Sequence, residues 1–349
     1  MKARFLLLLL WGCTSDQPIV DVDPDPLSVT IAVNANLSGE EPFQNYEGEY
    51  QAIYAMGARG IQTAAPWASL NPVGTTYDLT PLTNSFFGLS KLTSLGYELI
   101  YLNIPIIAID TRSMPADISH LPFDDPQVIQ RFRAMLDAIQ GSLPPEVRLI
   151  SFGNEVDTYF KVHDTEWASF KTLVEDARSY LKALRPSTLV GVTTTFEGCT
   201  STYPAEVQAL NENMDFVSLT YYPLLGNGFF PKDPGMVTED VVKMVTASQG
   251  KPLVLQEWGY PSSVALGSSE DDQAEFMTLS LDEIRKQGPS KLLLVSFFKY
   301  RDWSPAFAST ITNQSVGQPF YEFMSSLGLK RHDGAPKKSF EILTRALHP

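Results

Sequence analysis

Two glutamates frame the chemistry this chain could perform. Glu155 follows Gly153-Asn154 at the end of an apolar run, VRLISF, and Glu257 ends a second run, PLVLQ, 257 − 155 = 102 residues later. Two carboxyl groups facing each other across a cleft are what cleavage of a glycosidic bond requires. One gives a proton to the departing oxygen, and the other attacks the anomeric carbon or activates water. A single Glu at a strand end is more simply a rim salt bridge. Two of them, each beside a glycine turn and an aromatic residue, favour a shared reaction. Other residues near the ends of apolar runs suit a sugar as well. Tyr221, Tyr222, Trp67, Trp258 and Trp303 offer rings to pyranose faces, and Asn34, Asn103 and Asn154 offer amides to hydroxyls. Asp157 and Tyr159 line either the cleft or an ordinary loop. Asp110 with Arg112 suggests a salt bridge, and His163 fits a solvated loop as well as a sugar subsite.

The elements that must carry these residues alternate along the chain. Strand-like runs cover 27–33, 60–65, 97–107, 147–152, 188–193, 216–220, 252–256 and 292–298. Helix-like segments cover 46–56, 82–95, 125–139, 167–184, 204–211, 238–248 and 271–287, with two more at 320–327 and 338–347. Near-continuous apolar strands belong in a parallel sheet covered on both faces. Eight βα units predict an α/β fold, a single-domain (β/α)8 TIM barrel spanning 28–349. A doubly wound nucleotide-binding sheet would need a GxGxxG turn after strand 1, where the chain reads NANLSG. In a barrel the active site lies at the C-terminal ends of the strands, where both glutamates fall.

Composition narrows the partners. The chain has 349 residues, 44% of them hydrophobic, enough for a large core. Lys plus Arg number 26 against 40 Asp plus Glu, a net charge of −14, which argues against nucleic acid. Four His and two Cys argue against a His/Cys metal site, and the chemistry above needs no cofactor. The sequence gives no sign of an oligomer interface, so a monomer is expected. At the N-terminus, Lys2 and Arg4 precede the apolar run Phe5–Trp11, too short to span a bilayer but fitting a signal peptide over 1–12. Leu10-Trp11-Gly12-Cys13 resembles a bacterial lipoprotein box, which implies a lipidated Cys13, export, and anchoring in a bacterial cell envelope. Residues 13–27 then form an acidic linker, TSDQPIVDVDPDP at its heart, and the only membrane contact expected is the lipid. Cys199 is left without a partner and reads as an inert thiol.

These motifs together resemble glycoside hydrolase clan A, over about residues 28–349. SFGNEVD resembles the clan's strand-4 Asn-Glu pair, which implies that Asn154 holds the sugar 2-hydroxyl and that Glu155 is the general acid/base. LQEWGYPSS resembles the strand-7 segment, which makes Glu257 the nucleophile; its form is similar to that of family 17 β-1,3-glucanases. LTYYPL resembles the strand-6 segment of family 53 endo-β-1,4-galactanases, which implies that Tyr222, or else Tyr221, orients the nucleophile. Trp303 matches the platform under the reacting sugar. Two features depart from the clan. Strand 2, IQTAAPWASL, lacks the Arg many members carry, and Thr220 stands where many have His. The resemblance implies a retaining, endo-acting glycosidase working by double displacement on a polysaccharide or oligosaccharide. A glycan-remodelling transglycosylase and a non-catalytic surface glycan-binding lipoprotein are the competing expectations.

Overall fold

The computed structural model describes residues 27–348 apart from 38, 40, 227 and 313–316. The expected leader, Cys13 and the linker as far as residue 26 lie outside the described residues. Eight parallel strands build the sheet: β1 Thr30–Val33, β2 Gly60–Ala64, β3 Leu99–Asn103, β4 Val147–Ser151, β5 in two parts, Leu189–Gly191 and Thr193–Thr195, then β6 Val217–Tyr221, β7 Leu253–Trp258 and β8 Leu292–Phe297. The two parts of β5 are separated only by Val192. The first pairs with β4 and the second with β6, while β1 pairs with β8 over Thr30–Leu294 to Val33–Phe297. The ring is thereby closed, as the (β/α)8 reading predicts.

Each strand is followed by a helix that covers it: α1 Tyr46–Ala55, α2 Leu89–Ser94, α3 Pro126–Ile139, α4 Trp167–Leu184, α5 Pro204–Asn211, α6 Met236–Ala247, α7 Glu270–Gln287 and α8 Lys338–Leu347. Their sequences explain them. In α4, Phe170, Leu173, Val174, Ala177 and Leu181 recur at helical spacing and are all buried. In α3, Asp125 caps the first turn through Gln127 N and Pro126 occupies the first position. In α7, three acidic residues open the helix and Arg285 and Lys286 close it, complementing its dipole.

Three segments differ from the sequence reading. The helix expected over 82–95 splits into Thr80–Thr83 and α2, because Asn84 leaves helical geometry and Gly88 packs against the backbone of Asn84. The run 97–107 supplies only β3. Beyond Pro105 the chain forms a hairpin of Ile107–Ala108 with Thr111–Arg112. The helix expected at 320–327 lies at Gly317–Met324.

Inside the ring, Ala32, Leu99, Tyr101, Leu149, Phe216, Val254 and Leu294 form one apolar cluster. A larger cluster fills the layer between strands and helices. At ~25 cal/mol per Å² of apolar surface, this two-layer burial is the main source of stability. Above the inner cluster the interior turns polar. The Tyr101 hydroxyl meets Thr193, Ser218 and Gln256 at 2.9, 3.1 and 2.6 Å. That polar layer is the floor of the mouth.

Candidate active site

The two glutamates reach the mouth by two different backbone devices. After β4 the chain turns through Gly153, where a side chain would meet the Val156 methyl 2.4 Å away. Asn154 is gripped by the 107–112 hairpin: its N–H donates to the Ile107 carbonyl at 2.9 Å, and its carbonyl accepts from Ile109 N at 2.8 Å. Glu155 then takes a left-handed conformation, φ 50°, and caps the short helix Val156–Phe160. Such a conformation is costly for a non-glycine residue and gathers at functional sites.

On β7 the device is a bulge. Pairing with β6 runs Leu255 to Leu219 and then Glu257 to Thr220, so two residues of β7 span one step of β6. Gln256 and Glu257 therefore both serve the mouth. Gln256 Oε1 accepts from Tyr101, from Thr193 Oγ1 at 2.7 Å and from Asn103 Nδ2 at 3.2 Å, and its Nε2 donates to Asn154 Oδ1. The Glu257 carboxylate accepts from the Tyr222 hydroxyl at 2.7 Å. With its Oδ1 engaged by Gln256, Asn154 keeps Nδ2 as a donor for a ligand. Gly259 allows the close approach that holds Tyr222 in place, because a Cβ there would lie 2.5 Å from the Phe298 carbonyl and 2.9 Å from the Tyr222 ring.

Electrostatics set the two carboxyls apart from ordinary ones. Both are half-buried, with protein on most sides. Burial pushes Glu155 up to about 8, and the negative charge of Glu257 adds to the rise, while a hydrogen bond from Thr220 works against it. Glu257 is raised as well, by burial, and is drawn back by hydrogen bonds from Tyr222 and Gln256. Both carboxyls are thus held above the ordinary glutamate range, and the charge of Glu257 favours a proton on Glu155.

The structure gathers some of the expected sugar-binding residues here and places others elsewhere. Asn154, Asn103 and Tyr222 stand at the glutamates. Trp303 and Asn34 stand on the β8–β1 side of the mouth. There the Trp303 indole N–H donates to Asn36 Oδ1 at 3.1 Å, and its ring lies 4.2 Å above the buried Lys299 ammonium. Asn34 is tied into the same seam through its backbone, to Phe297 and Tyr300. Three aromatics do not reach the mouth. The bulge turns Trp258 outward, so that its N–H donates to Ser280 of α7 at 2.9 Å. Tyr221 alternates outward too, donates to Asp240 of α6 at 2.9 Å and packs on Trp258. Trp67 packs edge-on against Phe132 of α3 at 4.8 Å. All three are fully buried between strands and helices, and this corrects the expectation that they touch substrate.

Among the lesser candidates, Asp157 is buried and accepts from Thr195 N and Oγ1, both at 2.7 Å, which ties the Glu155 turn to β5. Arg112 is held by Tyr159 and Glu166, and His163 stacks on Tyr159 at 4.1 Å. With Asp110 and His120 they line a polar cavity of about 400 Å³ that does not include the glutamate pair. A second cavity, about 520 Å³, lies on the barrel flank beside α5 and is lined by Cys199, Asn211 and Lys251. Burial pushes the Cys199 thiol up to about 12, which keeps it unreactive. No cluster of His, Cys, Asp or Glu among the described residues is placed to hold a metal. Gln256 is the site residue sequence reading missed, and Thr220, noted there only as a departure from His, proves to donate to Glu155. A bulge signal could have found Gln256, but no local pattern announces one.

With this geometry in place, comparison with known proteins is informative about fold. No protein-family profile and no curated protein matches the chain. Solved structures do. A variant of GH5_18 from Bifidobacterium longum subsp. longum, in complex with Manβ1-4GlcNAc, superposes with a TM-score of 0.71 at 14% identity, over 92% of this chain and 78% of that one. The exo-β-1,4-mannosidase Op5Man5 from Opitutaceae bacterium strain TAV5 gives 0.69 at 18%, over 92% of this chain and 59% of that one. A β-glucuronidase from Bacteroides uniformis gives 0.61 at 14%, over 91% of this chain and 35% of that one. The chain shares their (β/α)8 barrel.

Proposed function

We propose that this protein is a retaining β-glycosidase. The observation that carries the reading is the pair of half-buried glutamates at the ends of β4 and β7, Glu257 accepting from Tyr222 and Glu155 accepting from Thr220. In the first step Glu257 attacks the anomeric carbon while Glu155 protonates the departing oxygen. The ester neutralises Glu257, so Glu155 loses the charge that favoured its proton and can act as base toward water in the second step. Asn154 Nδ2 binds the sugar 2-hydroxyl, Asn34 and Trp303 line the pocket, and the buried Asn103 braces it from below through Gln256. The alternative outcomes, transfer to a second sugar or binding alone, share the fold. Two neighbouring carboxyls both raised by burial favour catalysis over binding alone.

The structural neighbours guide the choice of substrate. One is named an exo-β-1,4-mannosidase and one is seen with Manβ1-4GlcNAc. This favours a β-linked mannoside cut from a chain end over the endo mode the sequence motifs imply. Bacterial export with a lipid on Cys13 remains part of the same proposal and rests on the N-terminal motif alone.

The test is product release from Manβ1-4GlcNAc, β-1,4-manno-oligosaccharides, β-1,4-galactan, β-1,3-glucan and xylan. We expect cleavage of the mannosides with retention at the anomeric centre, and a fall of at least about a thousandfold in Glu257→Gln. Retained activity in that variant would remove Glu257 as nucleophile. Longer products would mark a transglycosylase.

A further inference from the structure

Thr220 stands on β6 directly across from Glu257 in the sheet register, yet its side chain serves the other glutamate. Its Oγ1 donates to Glu155 Oε1 at 2.7 Å. The residue is buried, 3% exposed, and lies within a regular strand. A β-branched side chain there has little rotameric freedom, so the hydroxyl is aimed in advance rather than recruited on binding. At this position many clan members carry His, so the role is not supplied by the resemblance.

We propose that Thr220 is the positioning residue of the acid/base, selecting which Glu155 oxygen carries the proton and how tightly it is held. The inference rests on the reading of Glu155 as acid/base. With Oε1 occupied by a donated hydrogen bond, the proton resides on Oε2, the oxygen left to face the departing group. In the first step that proton passes from Oε2 to the glycosidic oxygen as the C–O bond breaks. The ionised carboxylate left behind is stabilised by the Thr220 O–H. In the second step Oε2 takes a proton from water while the water oxygen bonds to the anomeric carbon. The same hydrogen bond limits how far Glu155's hold on its proton rises. The other groups acting on Glu155 are carboxylates: Glu257 on β7, Asp157 on its own helix and Glu197 after β5. Tyr222, at the end of β6, is close enough to feel its charge. Against that negative surround, Thr220 is the hydrogen-bond donor that keeps the proton transferable.

The experiment is a ¹³C NMR titration of glutamate carboxyls in the full chain, with the Glu155 signal assigned by its loss in Glu155→Gln. Losing a hydrogen bond to a charged group is expected to raise the Glu155 midpoint by about one pH unit in Thr220→Val, and Thr220→Ser should return it to the wild-type value. An unchanged midpoint in Thr220→Val overturns the proposal. So does an equal shift in both variants, which would trace the effect to packing rather than to the hydroxyl. A parallel arm follows hydrolysis of 4-nitrophenyl β-D-mannoside against pH. Thr220→Val should lose about tenfold in kcat/KM, and its alkaline limb should move upward with the NMR midpoint, while Thr220→Ser keeps both. A fall in rate with no movement of the limb also counts against the proposal. If neither this glycoside nor those above are cleaved by the wild type, the functional reading fails, and the titration still decides the role of Thr220.

Discussion

At the scale of single residues, the site is a division of labour between two similar side chains. Glu155 and Glu257 differ mainly in what donates to them, a threonine in one case and a tyrosine in the other. Tyr222→Phe removes only the donated hydrogen bond. We expect it to cost about a hundredfold in kcat/KM with the fold intact, and to move the acid limb of the rate profile upward, because the Tyr222 hydrogen bond holds Glu257 down. The check is a pH–rate series beside a thermal melt. An unchanged acid limb would show that Tyr222 orients Glu257 without tuning it. At this scale the sequence was informative where chemistry demands a residue type: Asn154, Glu155, Tyr222 and Glu257 could be named from strand ends and motif. It marked Thr220 only as a departure from His and gave it no role, because a threonine in a strand is already well explained by β propensity.

Whole elements decide which of those side chains meet. Sequence alternation puts every second residue of a strand on one face, and counted from the inward Val254 it sends Gln256 and Trp258 to the pocket and Glu257 away from it. The bulge at Gln256–Glu257 shifts the phase, brings the carboxylate in beside the amide and sends the indole to α7. A phase shift of one residue inside LVLQEW leaves no trace in composition, so the element was legible and its last turn was not. The strand-and-turn segment after it is equally constrained. Gly259→Ala would drive a methyl into the Phe298 carbonyl and the Tyr222 ring, and we expect a loss of about 1–3 kcal/mol in chemical denaturation together with most of the activity. Near-wild-type stability in that variant would show that β7 and β8 yield more readily than the close approach implies. The same reasoning places α4, α5 and α8, whose apolar periodicity and flanking proline or glycine made their limits readable from sequence. It also explains the divided helix at 80–94, where local backbone packing at Gly88 overrides a continuous pattern.

For the molecule as a whole, pH should act on stability through its buried acids. Burial holds Glu155 up to about 8, and it holds Glu49 up to about 7 although Arg301 lies 2.7 Å away. Arg301 also serves Glu41, so its charge is divided, and desolvation dominates at Glu49. Both groups bind a proton more tightly folded than unfolded. Their contribution is therefore complete below the ordinary glutamate value of 4.5 and is lost as pH rises through 7 and 8. The net charge of −14 works in the same direction. We expect the melting temperature to fall by several degrees between pH 5.5 and pH 8.5, and Glu49→Gln to flatten the lower half of that decline. A melting temperature that rises over this range would mean that Glu49 is stabilised as an anion by Arg301.

The seam between β1 and β8 has a consequence for how the molecule comes into being. Thr30 pairs with Leu294, and the segments on either side of that join are cross-tied through Asn36 to Trp303 and through Glu41 and, on α1, Glu49 to Arg301. A ribosome emits these partners far apart in time, Asn36 preceding Trp303 by 267 residues. Until β8 emerges, β1 and β7 both present bare edges, and any nascent chain stalled short of it is an unfinished cylinder open to sticking. The mouth is therefore completed only once β8 has docked: the wall that carries Trp303 is absent until that strand closes the ring, so a chain cut before β8 should be left with an open sheet and an unfinished mouth.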